Sequence, residues 1–260
     1  LMLGSDTVPA DGWSWEGPVA WQGGFHTYFA RARDDFGNAT SLANVPSTEG
    51  YVNQRPLISG EIDFDPDPVD RGDDLLISLD QAEVVDPDGS VDRVEFYRET
   101  NEIPGLQIDV AEADTLLGRD EDVTDGTWDI FPNTAGWEPG DNIIYARAED
   151  NNNAWSSPLS GTVEVNLLPT LVGLDSDPSP ATRGDRLTLE VDGASDSDGE
   201  VLAVEFWRDG NGNNELNRDP ALDHFLGYDT SVDGGWNWSG TVLWAPGSHT
   251  YFAQAVDDDL

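Results

Sequence analysis

Apolar and polar residues alternate along much of the chain. Leu75, Ile77 and Leu79 fall on one face of a period of two, and Leu187, Leu189 and Val191 repeat them. Val94 and Phe96 alternate with Arg93, Glu95 and Tyr97, just as Val204 and Phe206 alternate with Ala203, Glu205 and Trp207. Such alternation is the signature of a half-buried strand. Between Leu57 and Val165 it predicts strands at Leu57 to Phe64, around 75–79, Val91 to Arg98, Thr115 to Gly118, Thr127 to Phe131, Asn142 to Glu149 and Gly161 to Val165. Ile144, Ala146 and Ala148 face inward on the longest of these. Gly, Pro and Asp turns separate the strands, and no segment carries a helical period. Short strands in this number predict an all-β chain of antiparallel β-sandwiches.

The pattern repeats at about 110 residues, and repeats outrank local structure in deciding a fold. Leu3-Gly-Ser-Asp returns as Leu117-Gly-Arg-Asp and Leu226-Gly-Tyr-Asp. Trp13 matches Trp128 and Trp236, while Trp21 matches Trp137 and Trp244. Each of the second set precedes the same apolar position, Tyr28, Ile144 or Tyr251. The sequences Val52-Asn-Gln-Arg-Pro and Val165-Asn-Leu-Leu-Pro each close one repeat and open the next. Residues 1–52 therefore read as the C-terminal part of one repeat, 53–165 as a complete repeat, and 166–260 as a repeat lacking its last strand. A chain that starts and stops inside repeats reads as a window from a longer protein. Half-domains completed by neighbouring molecules fit less well, because both end fragments carry the same middle strands.

Composition narrows the partners. The chain has 52 acidic residues and 12 basic ones, a net charge of −40, and all the basic residues are arginine. That charge repels nucleic acid and anionic membrane surfaces. No apolar run is long enough to insert in a membrane as a helix. Without cysteine there are no disulfides, so an extracellular form must be held by its cores or by metal. Lysine-free, Asp-rich surfaces also suit high salt, and composition does not separate that origin of the acidity from calcium binding.

The combined pattern Asp-Gly-x-Val-x-x-Val-Glu-Phe, Leu-Gly-x-Asp, Gly-x-Trp and Trp-x-Pro-Gly-x-His-Thr-Tyr-Phe-Ala resembles the bacterial immunoglobulin-like tandem repeats of large secreted and cell-surface proteins. The resemblance covers nearly the whole chain. It implies immunoglobulin-like sandwiches used as spacers, stalks, adhesin segments or accessory modules beside polysaccharide-degrading enzymes, and an extracellular or cell-surface location. It also places Tyr28-x-Ala30 and Tyr251-x-Ala253 where immunoglobulin domains carry Tyr-x-Cys, with the alanine leaving room for a Trp. The repeated Trps are accordingly expected mainly in the core; Trp155, Trp207 and Tyr97 are the better candidates for surface stacking on a glycan, though packing is the expected role there too.

An immunoglobulin-like topology would bring Asp86 and Asp88 to the same pole as Asp150, and Asp196 and Asp198 to the same pole as Asp257. Like charges this close repel unless a cation bridges them, and calcium takes six to eight oxygens in flexible geometry. Ordinary Asx turns with solvated carboxylates are the plainer reading. A second candidate is the loop from Asp209, with oxygen ligands at alternate positions: Asp209, Asn211, Asn213 and Glu215. This is the opening of an EF-hand-like loop, which Asp219 or Asp223 would close. The usual closing Glu is absent, and Pro220 stands in its place.

Nothing points to catalysis. His26, His224 and His249 are scattered, and the first and third share one repeat position that suits a turn. No HExxH, GxSxG or phosphate-binding glycine loop is present. The expected function is a non-catalytic structural segment of an extracellular stalk, adhesin or filament, stiffened by calcium, whose partners are neighbouring repeats of the same or identical chains. The alternative is a carbohydrate-binding or spacer module of a secreted polysaccharide-degrading enzyme, with a glycan as partner.

Overall fold

The computed structural model describes residues 1–8, 10, 12–122 and 124–258. Among them the structure is all β, with two three-residue 3-10 turns, Leu42–Asn44 and Gln81–Glu83. No helix is long and apolar enough to cross a membrane. The chain forms two compact units, and the division passes through the middle repeat. One unit is Leu1–Ile62, Ser78–Ile130 and Tyr145–Ser160, and the other is Asp63–Ile77, Phe131–Ile144 and Gly161–Leu260.

Residues 1–52 contribute β1 (Gly24–Phe29) and β2 (Ser47–Val52), an antiparallel pair with Gly24 opposite Val52. Trp13 is 72% exposed there, an exception to the expectation that the repeated Trps are mainly core. The cause is local: this segment offers only a two-stranded ladder, with no facing sheet of its own to bury a Trp.

The middle repeat runs through β3 (Leu57–Ile58), β4 (Asp63–Asp65), β5 (Val69–Asp70), β6 (Leu76–Asp80), β7 (Val84–Val85), β8 (Val91–Arg98), β9 (Thr115–Asp120), β10 (Thr127–Ile130), β11 (Gly140–Asp150) and β12 (Leu159–Asn166). Its hydrogen-bonded orders are β10-β6-β4 and β5-β12-β11-β8-β9. The single strand expected over 57–64 is broken into β3, which pairs with β7, and β4, which pairs with β6. The short β5 runs parallel to β12, Val69 opposite Val165, and the alternation did not predict it. The inward-facing positions hold: Leu75, Ile77, Leu79, Ile144, Ala146, Ala148, Val163 and Val165 are all inaccessible to solvent.

The third repeat comprises β13 (Thr170–Val172), β14 (Asp175–Asp177), β15 (Arg186–Val191), β16 (Gly193–Ser195), β17 (Ala203–Arg208), β18 (His224–Asp229), β19 (Trp236–Thr241) and β20 (Tyr251–Val256). Two three-stranded sheets, β14-β15-β19 and β18-β17-β20, enclose Leu187, Leu189, Val191, Val204, Phe206 and Trp236. This is the antiparallel sandwich that the alternation predicts, of the immunoglobulin-like kind that the resemblance implies.

The repeated motifs have a common structural job. In Leu-Gly-x-Asp the glycine lies under the side chain two residues past the first repeated Trp. A Cβ on Gly118 would come within 3.0 Å of Ile130, and one on Gly227 within 2.8 Å of Trp238. The aspartate closes the turn that follows. Asp120 accepts the N–H of Asp122 and of Asp129, both at 2.8 Å, and Asp229 accepts those of Ser231 at 3.0 Å and Asn237 at 2.9 Å. Asp6 does the same with Val8 and Ser14.

Candidate functional site

The acidic turns meet the ends of the preceding repeats at two places, built alike. At the first, Asn53 donates its side-chain amide to Asp150 Oδ2 at 2.6 Å, and the backbone N–H of Gln54 reaches both oxygens of Asp88 at 3.1 and 3.2 Å. Tyr51 adds its hydroxyl to Asp88 Oδ2 at 3.0 Å. Asp150 Oδ1 takes the N–H groups of Asn152 and Ala154, each at 2.8 Å. At the second, Asn166 donates to Asp257 Oδ2 at 3.2 Å, and the N–H of Leu167 donates to Asp198 Oδ2 at 2.9 Å. Asn166 also donates to Asp70 Oδ1 at 3.0 Å. Sequence reasoning used Val-Asn-x-x-Pro only as a boundary mark; its asparagine is the residue that ties the linker down.

The remaining carboxylate at each place is under-satisfied. Asp86 accepts the N–H of Asp88 through Oδ1 at 3.3 Å, and Asp196 accepts that of Asp198 at 3.4 Å. Their Oδ2 atoms are buried and have no hydrogen-bond partner. Burial pushes the Asp86 carboxyl above its ordinary range, and the Asp150 and Asp88 carboxylates push it the same way. So Asp86, Asp88 and Asp150 do interact, as the topology argument expects. Even so, among the described residues no group of three or more His, Cys, Asp or Glu side chains is arranged to hold a metal ion.

The loop from Asp209 is closed by its own amides. Asp209 accepts the N–H groups of Asn211, Gly212 and Asn214 at 3.1, 2.6 and 3.1 Å. Asn211 and Asn213 cap the N–H groups of Asn213 and Glu215, and both donate their amides to Asn217 Oδ1 at 2.9 Å. Asp223 is fully buried and accepts from Gly210 at 3.0 Å and Asn217 at 2.7 Å. Those two N–H groups hold its carboxyl below the usual range. Asp219 only caps Ala221. The alternating oxygens thus also accept backbone donors, which organises the loop. Asn217, at its centre, has no signal in the sequence.

The aromatic candidates are also reassigned. Tyr97 and Trp207 are each 5% exposed, and Trp155 is covered by the Arg147 guanidinium, 3.6 Å from its ring centroid. None of the three is free to stack on a glycan. Arg147 also donates to Glu95 at 2.8 Å and to the Tyr97 hydroxyl at 2.9 Å, while Arg93 pairs with Glu149 at 2.7 Å. Burial alone would raise the Glu95 carboxyl, but the Tyr97 hydroxyl and Arg147 bring it below its ordinary value. Burial and then the Glu95 carboxylate push the Tyr97 phenol up to about 12. The histidines serve turns: His26 Nε2 lies 2.7 Å from the carbonyl of Gln22, and His249 Nε2 lies 2.8 Å from that of Ala245.

No protein-family model and no curated protein sequence matches the chain. Solved structures similar to it are tandem modules. The Clostridium thermocellum CbhA fibronectin(III)-like modules are 22% identical, covering 76% of this chain and 86% of that one, with a TM-score of 0.37. Domains A168–A170 of titin are 12% identical over 91% of this chain and 70% of theirs, with a TM-score of 0.36. Chicken CNTN1 FN1–FN3 domains are 8% identical over 88% and 71%, with a TM-score of 0.40.

Proposed function

We propose that this chain is a non-catalytic structural segment of an extracellular stalk, adhesin or filament, built from tandem immunoglobulin-like repeats. One observation carries the reading. Both linkers are tied by the same pair of contacts, an asparagine amide on the aspartate after the long strand and a backbone N–H on the aspartate of the acidic turn. A linker that only needed to join two domains would have no use for the same polar clasp twice. Repeated clasps restrict bending, which is what a spacer requires.

Calcium belongs to this reading, at the clasps. The support is the buried, unpartnered Oδ2 of Asp86 and of Asp196, each beside a carboxylate-rich turn. A divalent cation there would relieve the repulsion that raises the Asp86 carboxyl. Small-angle scattering and thermal melting, each with calcium and with EDTA, test the two halves separately. A rigid particle in both buffers with one melting temperature keeps the stalk and removes the calcium. A flexible particle in both buffers removes the stalk.

A further inference from the structure

The outer face of the β18-β17-β20 sheet differs from its counterpart in the middle repeat in a way the stalk reading does not need. Phe225 and Tyr228 are three residues apart, so a regular strand would send them to opposite faces. A β-bulge prevents this: Phe206 pairs with Gly227 and Trp207 with Phe225, leaving Leu226 as the extra residue. Both rings therefore join Glu205 and Trp207 on the face away from the buried Val204 and Phe206. They are 45% and 65% exposed, with centroids 6.5 Å apart and planes within 26° of each other.

The platform is braced. The Trp207 ring, itself buried, lies 4.9 Å from that of Phe225 and keeps it from turning inward. Glu205, opposite Tyr228 in register, is fixed by Arg218, which reaches both its oxygens at 3.0 Å, and by Trp207 Nε1 at 3.2 Å. Gln254 stands opposite Glu205 on the other side. The exposure is not owed to the open edge at β20, since β18 is the strand farthest from it in the sheet order. The middle repeat keeps the same bulge but places Leu116 and Arg119 at these two positions. The aromatic pair is particular to the third repeat.

We propose that this face binds a neutral glycan chain, with Phe225 and Tyr228 packing against its sugar rings and Glu205, Arg218 and Gln254 meeting their hydroxyls. Exposed aromatic rings suit a sugar chain, whose C–H groups pack against them. A fixed carboxylate and guanidinium side by side accept from and donate to hydroxyl groups without further ordering cost. The chain's charge of −40 opposes the anionic alternatives, acidic polysaccharides and nucleic acids, that would also find the rings attractive. The proposal rests on this face alone and is independent of the stalk reading.

Affinity electrophoresis of the full chain in gels containing hydroxyethylcellulose, arabinoxylan or galactomannan tests it, with pectate as the anionic control. The expected result is retardation by at least one neutral polymer and none by pectate. The F225A and Y228A variants should each bind ~10-fold more weakly or worse, a loss of about 1.4 kcal/mol, with circular dichroism unchanged in both and melting unchanged in Y228A, whose ring is the more exposed. L116A, at the matching position of the middle repeat, should bind as the parent does. Absence of retardation by every neutral polymer overturns the proposal. So does binding that survives both substitutions, or a change of oligomeric state in Y228A without any glycan binding, which would make the face a protein interface.

Discussion

Asn53 donates its side-chain amide to Asp150 at 2.6 Å, tying the segment that opens the middle repeat to that repeat's long strand. Asn166 and Asp257 repeat the bond at 3.2 Å with both residues buried. Asp150 keeps two backbone donors without Asn53, whereas Asn166 is also the partner of Asp70. Removing one partner of a buried hydrogen bond costs about 1–3 kcal/mol. N53A should fall near the low end of that range and N166A near the high end, read from urea unfolding curves. Equal, negligible losses would mean that the clasps do not hold the linkers.

Gly227 tests the meaning of Leu-Gly-x-Asp. Its φ of +156° is a conformation that L side chains rarely adopt, and a Cβ would also meet Trp238 at 2.8 Å. Overpacking of this kind typically costs 1–3 kcal/mol, and G227A should lower stability by about 1–2 kcal/mol. Adding W238V to G227A should recover part of the loss, because it removes the colliding ring. In the middle repeat Ile130 takes the place of Trp238, and G118A should cost less because its contact is 3.0 Å rather than 2.8 Å. Chemical denaturation of the single and double variants checks the ordering.

The sandwich was legible because burial acts through a period of two. Ile77, Leu189 and Ala146 lie where alternation puts them. The parallel pairing of Val69 with Val165 was not legible, since it is a two-residue contact set by chain path and not by pattern. At the linkers the acidic residues were found and their company partly so. Asp86, Asp88 and Asp150 interact as topology implies, but the asparagine that clasps each linker was passed over because it lies at a boundary. Alternating oxygens at Asp209, Asn211 and Asn213 look the same in sequence whether they face an ion or backbone N–H groups. In the fold they accept N–H groups, and the same oxygens keep lone pairs that a cation could use. Trp155 is packed, the role expected for it over stacking, and the Arg147 that covers it lies on β11.

Asp86 and Asp196 each carry a buried oxygen without a donor. At neutral pH without calcium, the charge on Asp86 opposes folding, because burial and two nearby carboxylates raise its carboxyl. D86N should therefore stabilise the chain in EDTA by about 0.5–1 kcal/mol, the scale of one partly screened charge pair. If calcium occupies the clasp, the same substitution should destabilise in millimolar calcium. Melting temperatures in the two buffers give the sign in each. A gain of equal size in both would leave calcium no role at that turn.

Arg147 holds three partners at once: Glu95, the Tyr97 hydroxyl and the face of Trp155. R147A leaves a buried carboxylate with only the Tyr97 hydroxyl at 2.6 Å and Arg93 at 3.5 Å. Breaking a buried pair from one side costs up to about 3–5 kcal/mol, and with Glu95 keeping those two partners R147A should cost about 2–3 kcal/mol. R147K should recover little, because an ammonium neither stacks flat on an indole nor forks across two acceptors. Urea denaturation of the three proteins checks this, and tryptophan fluorescence should shift to the red in both variants as Trp155 loses its cover.

Asp223 and Asp86 should bend the pH dependence of stability in opposite directions. The N–H groups of Gly210 and Asn217 lower the Asp223 carboxyl, so its unfolded-state value lies above its folded one. Its contribution is complete above the ordinary carboxylate value of about 3.9 and is lost as pH falls through the lowered value. For Asp86 the folded value is the higher one, so its contribution is complete below the ordinary value and is lost as pH rises through the raised one. D223N should melt lower at pH 7, since an amide offers one acceptor oxygen to two N–H groups, and should show a flatter profile below pH ~4. D86N should remove the opposing slope between that region and neutrality. Melting curves from pH 7 to strongly acid at constant ionic strength read both, and a D223N profile parallel to the parent's would mean the loop is not held through that carboxylate.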